Sequence, residues 1–161
     1  MLIRDATEAD LPAILAIYND VIATSSAVYT EAPSSLADRQ TWFAARRASY
    51  FPVVVAVEDS VLGYASFTDF RPWPGYALSV EHSVYVARDA RGRGIGAALV
   101  QRLIDDARAL GKHVMIGGVD AGNAASIALH ARLGFTEAGR LREVARKFGH
   151  WLDLVFMQRM L

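Results

Sequence analysis

The segment best suited to chemistry is Arg91-Gly92-Arg93-Gly94-Ile95-Gly96. It follows a stretch with strand-like alternation and precedes one with helical periodicity. Glycines let a backbone approach an anion closely and leave amide N–H groups free. A helix N-terminus adds partial positive charge. Together they can cradle a pyrophosphate, with Arg91 and Arg93 as neighbouring cations. The same residues also read as a plain tight turn with incidental arginines. Two familiar phosphate motifs do not fit. No Gly-Lys-Ser/Thr follows, so this is not a P-loop. Gly92, Gly94 and Gly96 lack the Gly-x-Gly-x-x-Gly spacing, and the turn comes in mid-chain after a predicted hairpin. It is therefore not the dinucleotide fingerprint of a βαβ unit.

Any anion site must be local, because the 17 Lys and Arg cancel the 17 Asp and Glu. No global basic charge is available for nucleic acid or an anionic membrane. The 161 residues are 53% hydrophobic and 21% charged, a globular composition with enough chain for one real core. There is no Cys, which excludes a disulfide scaffold, a Cys-ligated zinc site and a thiol nucleophile. His113 and His150 have no metal-ligand spacing with the other histidines, and no metal is expected. No leader-like or membrane-spanning apolar run is visible, so a cytoplasmic protein is expected.

The positioning elements alternate in type. Leu2–Arg4 reads as a strand. Thr7-Glu8-Ala9-Asp10 resembles a capping box, followed by Leu11, Ile14, Leu15, Tyr18 and Ile22 at helical spacing. Ser25–Pro33 reads as a loop, and Ser35 opens a second helix carrying Trp42 and Phe43. Pro52–Glu58 and Val61–Phe70 predict an antiparallel hairpin. Arg71-Pro72-Trp73-Pro74-Gly75-Tyr76 must be a loop. Leu78–Ala87 predicts a strand with Val80, His82, Val84 and Val86 on one face. A long helix to about Leu110, stopped by Gly111, is followed by strand His113–Val119 and helix Asn123–Leu133. Strands Phe135–Leu141 and Leu152–Met160 close the order. This is a mixed α/β (α+β) pattern with helices on both faces of a central sheet.

The glycine turn matches the Gln/Arg-x-x-Gly-x-Gly/Ala signature of the GNAT superfamily of acetyl-CoA-dependent N-acetyltransferases. Asn123–His130, ending in Leu133-Gly134-Phe135, resembles that superfamily's second coenzyme-A-contacting helix. The element order is similar over essentially the whole chain. Within the superfamily, Val80-Glu81-His82-Ser83-Val84-Tyr85-Val86 and Lys147-Phe148-Gly149-His150-Trp151-Leu152-Asp153 resemble the phosphinothricin and methionine sulfoximine acetyltransferases.

The resemblance implies one N-acetyltransferase domain over residues 1–161, built on a mostly antiparallel twisted sheet with splayed middle strands. It implies acetyl-CoA as co-substrate, its pantetheine arm lying in the splay against backbone groups of Val84, Tyr85 and Val86. The amides of Arg91, Gly92, Arg93, Gly94, Ile95 and Gly96, with Ala97, would hold the pyrophosphate. Asn123 would bond the pantetheine, although Asn at that place also suits a plain helix N-cap.

Acyl transfer to an amine needs a base, and Glu81 is the expected one. A solvated edge-strand glutamate is its bland alternative. His130 stands where many members carry a tyrosine acid toward the coenzyme sulfur. Imidazole could serve as acid or base there, or be structural. His82 should point to the opposite face from Glu81, as a packing or orienting partner. A small amino acid's carboxylate needs a cation, for which Arg71 is placed, with Tyr76, Tyr29 and Thr30 completing the pocket. The expected acceptor is the α-amino group of a phosphinothricin-, methionine sulfoximine- or methionine sulfone-like amino acid. Alternatives are a protein N-terminus or lysine, or a non-catalytic coenzyme-A-binding module. Related enzymes are often homodimers, and Lys147–Trp151 is the segment expected to approach a partner.

Overall fold

The computed structural model describes all 161 residues. Seven strands form one sheet in the order β1-β2-β3-β4-β5-β7-β6. They are β1 (Leu2–Asp5), β2 (Val53–Val57), β3 (Val61–Asp69), β4 (Ser79–Val86), β5 (Val114–Asp120), β6 (Thr136–Lys147) and β7 (His150–Met160). Every neighbouring pair is antiparallel except β4 and β5. That parallel pair joins at Ser79–Val114 and ends at His82–Gly117, although β4 runs on to Val86 and β5 to Asp120. The two halves of the sheet therefore splay apart at the middle.

Helices α1 (Leu11–Thr24) and α2 (Leu36–Ala48) cover one face. Leu11, Ile14, Ile17 and Phe43 pack there against Val53, Val55 and Tyr64. On the other face lie α3 (Ile95–Ala109) and α4 (Ala124–Arg132). Leu99, Val100, Leu103 and Ile104 of α3 meet Val54, Phe67, Val80 and Met115. Strand alternation divides β2 and β4 between the two cores, which is why the apolar run of β2 is nearly continuous. Each fully buried aliphatic side chain contributes on the order of 2 kcal/mol.

The start of α1 is fixed by charge. Asp10 accepts the Thr7 backbone N–H at 2.8 Å and two Arg4 guanidinium bonds at 2.7 and 2.8 Å. Arg4 is the main reason its carboxyl is held down to about 2. The final hairpin is longer than the predicted Phe135–Leu141 and Leu152–Met160. Register shifts between Glu137 and Gly139 and between Leu141 and Ala145, with Glu143 at φ 50°, carry β6 through residues whose polarity does not alternate. The hairpin turns tightly at Phe148-Gly149.

Candidate active site

The open end of the splay is lined by His82, Ser83, Val84 and Tyr85 of β4, Gly117–Asp120 of β5, Asn123, Ser126 and His130 around α4, and Ala27. Ala87 donates to the Leu62 carbonyl, so alternate residues of β4 turn their backbone toward β3. By that alternation Tyr85 spends its N–H and C=O on Tyr64, its register partner. The polar groups of Val84 and Val86 face the gap, where β5 no longer pairs. An extended arm could bond there as an added strand. Of the three residues expected to supply backbone bonds, Tyr85 instead contributes its ring, packed against Tyr18 and Tyr64.

The glycine turn follows directly. Gly92 and Gly94 sit at φ 77° and 79°, where a side chain would be strained, and a Cβ at either would meet only open space. Gly94 is the N-cap of the fifteen-residue α3, which leaves the N–H groups of Ile95, Gly96 and Ala97 without intrahelical partners. These open amides at a helix N-terminus fit a diphosphate. The arginines are tied down. Arg93 donates to both Glu58 carboxylate oxygens at 2.8 Å, and Arg91 Nε donates to the Val86 carbonyl at 3.3 Å. Both side chains fasten the turn to the sheet. Asn123 caps α4 by accepting from Ser126 N–H at 3.0 Å, which leaves its amide NH2 for the cleft it lines.

On the α1/α2 face of the splay stands Glu81, with Oε1 3.2 Å from where a Cβ would sit on Gly118. Burial raises its pKa, and the nearby Arg71 partly offsets this. Arg71 Nη1 lies 4.0 Å from Glu81 Oε2. Its guanidinium covers the Phe70 ring at 4.0 Å, and Phe70 in turn meets Tyr76 and Phe156 edge-on. The Pro-rich loop thus brings Arg71 to Glu81, with Tyr76 beyond Phe70.

The loop carrying Tyr29 and Thr30 is latched elsewhere. Tyr29 donates to the Asp153 carbonyl at 3.2 Å, and the Ser26 hydroxyl bonds Asp120. The buried Lys147 Nζ donates to the Ser25 and Val28 carbonyls at 2.6 and 2.7 Å. Thr30 accepts from Ala32 N–H at 3.2 Å within the loop. Tyr29 is thus tied to β7 and Thr30 bonds within its own loop, and neither is bonded to Arg71 or Glu81.

His130 lies under the cleft at 2% exposure, its ring edge to edge with that of His82, the centroids 5.1 Å apart and the planes inclined by 25°. As the alternation of β4 predicted, His82 points away from Glu81. Sequence reasoning missed Asp120 and Phe156. Asp120 ends β5 three residues before Asn123, a readable position. Phe156 belongs to no recognisable motif and enters only through pairing of β7 with Gly118.

Residues 14–135 match the model of the acetyltransferase (GNAT) family. The chain is 54% identical over 158 residues to the L-methionine sulfoximine/L-methionine sulfone acetyltransferase of Pseudomonas aeruginosa, covering 97% of this chain and 92% of that one. It is 40% identical over 159 residues to the phosphinothricin N-acetyltransferase of Alcaligenes faecalis, covering 98% and 81%. Among solved structures, one described as a ribosomal-protein-alanine N-acetyltransferase of Brucella melitensis superposes with TM-score 0.98 at 53% identity, covering both chains fully. So does yncA of Salmonella typhimurium, described as an acetyltransferase and solved with its cofactor acetyl-CoA, at TM-score 0.98 and 46% identity over 100% of this chain and 94% of that one. The splayed sheet, the glycine turn opening α3 and these matches agree: the chain belongs to the GNAT family of acetyltransferases.

Proposed function

We propose that this enzyme transfers acetyl from acetyl-CoA to the α-amino group of a small amino acid of the methionine sulfone, methionine sulfoximine or phosphinothricin type. One observation carries the acceptor class: a guanidinium and a carboxylate 4.0 Å apart at the mouth of the splay. An α-amino acid presents the complementary pair, with its carboxylate toward Arg71 and its ammonium toward Glu81. Phe70, Tyr76 and Phe156 meet at the same corner and suit the methylenes and terminal methyl of such a side chain. The names of the relatives support the reading.

Glu81 takes a proton from the ammonium, directly or through water, and frees the nitrogen lone pair. Burial, by raising the pKa of Glu81, makes it a better proton acceptor than a solvated carboxylate. The nitrogen attacks the thioester carbonyl carbon, a C–N bond forms, and the C–S bond breaks. One of the two protons still on nitrogen then leaves as the departing sulfur gains one, and the other stays as the amide N–H. Val84 and Val86 hold the pantetheine by their backbone, and Ile95, Gly96 and Ala97 hold the diphosphate by theirs, with Gly92 and Gly94 giving it room. Asn123 bonds the arm through its free amide. His130 lies beneath the thioester end. A second copy of the chain pairs through the β6–β7 hairpin, where Phe148 and Trp151 are 45% and 60% exposed.

Thiol release from acetyl-CoA tests the reading against methionine sulfone, methionine sulfoximine, phosphinothricin, proteinogenic amino acids, polyamines and N-terminal peptides. Fast release with one of the first three is expected. Release only with peptides, as the Brucella description would suggest, keeps the chemistry and discards the Arg71 carboxylate site.

A further inference from the structure

The buried His82–His130 pair is a cluster whose bonding determines its protonation. His130 Nδ1 lies 2.7 Å from the Ser126 carbonyl oxygen. A carbonyl only accepts, so Nδ1 carries the hydrogen. His130 Nε2 lies 3.1 Å from His82 Nε2. Two ring nitrogens bond only when one bears a hydrogen and the other a lone pair. If His130 is neutral, the hydrogen belongs to His82, and His82 Nδ1 is a bare acceptor. If His130 is an imidazolium, it donates to His82 instead.

The surroundings favour the neutral arrangement. The two residues are 6% and 2% exposed. Across the strands His82 faces Phe67 of β3 and Gly117 of β5. The Phe135 ring stands edge-on to both imidazoles. No carboxylate is bonded to them: Glu81 points to the opposite face, as does Asp120 by the alternation of β5 from Gly117, and Asp120 is bonded to Ser26. Charging either ring would place a buried cation there without a bonded counter-ion. Burial accordingly lowers both pKa values, that of His82 to about 3. His82 Nδ1 is left buried with no partner, a cost the fold bears to keep the pair. Gly117 leaves the room: a Cβ there would stand 2.8 Å from His130 Nε2 and 2.9 Å from His82 Nε2.

We propose that His82 is a positioning residue for acetyl transfer. By donating from Nε2 it fixes His130 as the neutral Nδ1–H imidazole, with neither a proton nor a lone pair left for the cleft. Proton transfer then falls to Glu81. The kinetic half of this proposal rests on the acetyl-transfer reading above, and the tautomer half does not.

Long-range nitrogen-15 NMR of the intact protein from about pH 5.5 to 8 reads the tautomers directly. The expected spectrum has His130 protonated at Nδ1 and bare at Nε2, His82 the reverse, and neither titrating. A protonated His130 Nε2, or a His130 that titrates near its ordinary value, overturns the proposal. Two variants read the kinetics. His82→Gln keeps an N–H donor and retains kcat within about threefold, with the wild-type pH profile. His82→Leu keeps bulk without a donor. It lowers kcat about tenfold, leaves the acetyl-CoA Kd within about twofold, and adds a His130 ionisation to the pH profile. Equal losses in both variants with an unchanged profile would mean that the ring only fills space. Wild-type protein inactive toward every amine, yet showing these tautomers, would sink the acetyl-transfer reading and leave the fixed His130 standing.

Discussion

The two sides of the cleft are built by different means. The coenzyme side consists mostly of main chain: Val84 and Val86 beyond the last β4–β5 pair, and the amides opening α3. The acceptor side consists of side chains from distant segments. Arg71 and Tyr76 come from the loop before β4, Glu81 from β4 and Phe156 from β7. A backbone-built site keeps its geometry through wide changes of sequence, because every residue type carries the same N–H and C=O. A site of side chains can be retuned by one substitution. On the proposed assignment of the two sides, the donor is thus fixed by the fold and the acceptor by a few residues.

The sharpest break between the two sides is Glu81→Gln. It should lower kcat by a hundredfold to a thousandfold, roughly the contribution of a general base, while calorimetry finds acetyl-CoA affinity unchanged. In the wild type, kcat/KM should rise with pH as Glu81 loses its proton. The midpoint should lie above the ordinary carboxylate value, because burial raises this group. The Gln variant should lose that limb. Arg71→Ala acts on the acceptor side alone. It should raise the KM for a carboxylate-bearing amine about tenfold, the effect of one charge-assisted bond, and spare the KM for acetyl-CoA. Gly94→Ala is the converse. Its φ of 79° strains any side chain by about 1 kcal/mol, so the KM for acetyl-CoA should rise several-fold while that for the amine stays. Least affected in catalysis is Asp10→Ala, far from either side. It should leave kcat alone and cost about 1–2 kcal/mol of stability in denaturant melts. Asp10 is held at about 2. Its stabilisation is therefore complete above the usual carboxylate range and is lost as pH falls through that range toward 2.

The same division decides what could be read from sequence. The glycine turn, the N-cap at Asn123 and the strand-to-helix order are local, and they lie where periodicity and turn chemistry place them. Glu81 and Arg71 are ten residues apart along one loop and strand, and the structure brings them together. Phe156 escaped because its place arises from pairing across the sheet, which no short window contains; Asp120 stood at a readable position, but its partner Ser26 lies in a distant loop. The continuation of β6 past Leu141 escaped for a related reason: register shifts and a left-handed Glu143 permit a strand that alternation does not announce. Lys147 drew notice only as part of a resembling segment. That its ammonium would be buried against the Ser25 and Val28 carbonyls is a tertiary fact.

The parting of β4 and β5 has a consequence for how the molecule comes undone. Strands β1–β4 and β5–β7 are each zipped by long antiparallel ladders, but the two half-sheets meet only along the stretch from Ser79–Val114 to His82–Gly117. That seam should be where the native state opens first, as two cooperative units rather than one. The amides of Val84 and Val86 need no opening at all to exchange with deuterated water. Protection should reach them, and strengthen along the seam, when a bound pantetheine stands in for the missing strand.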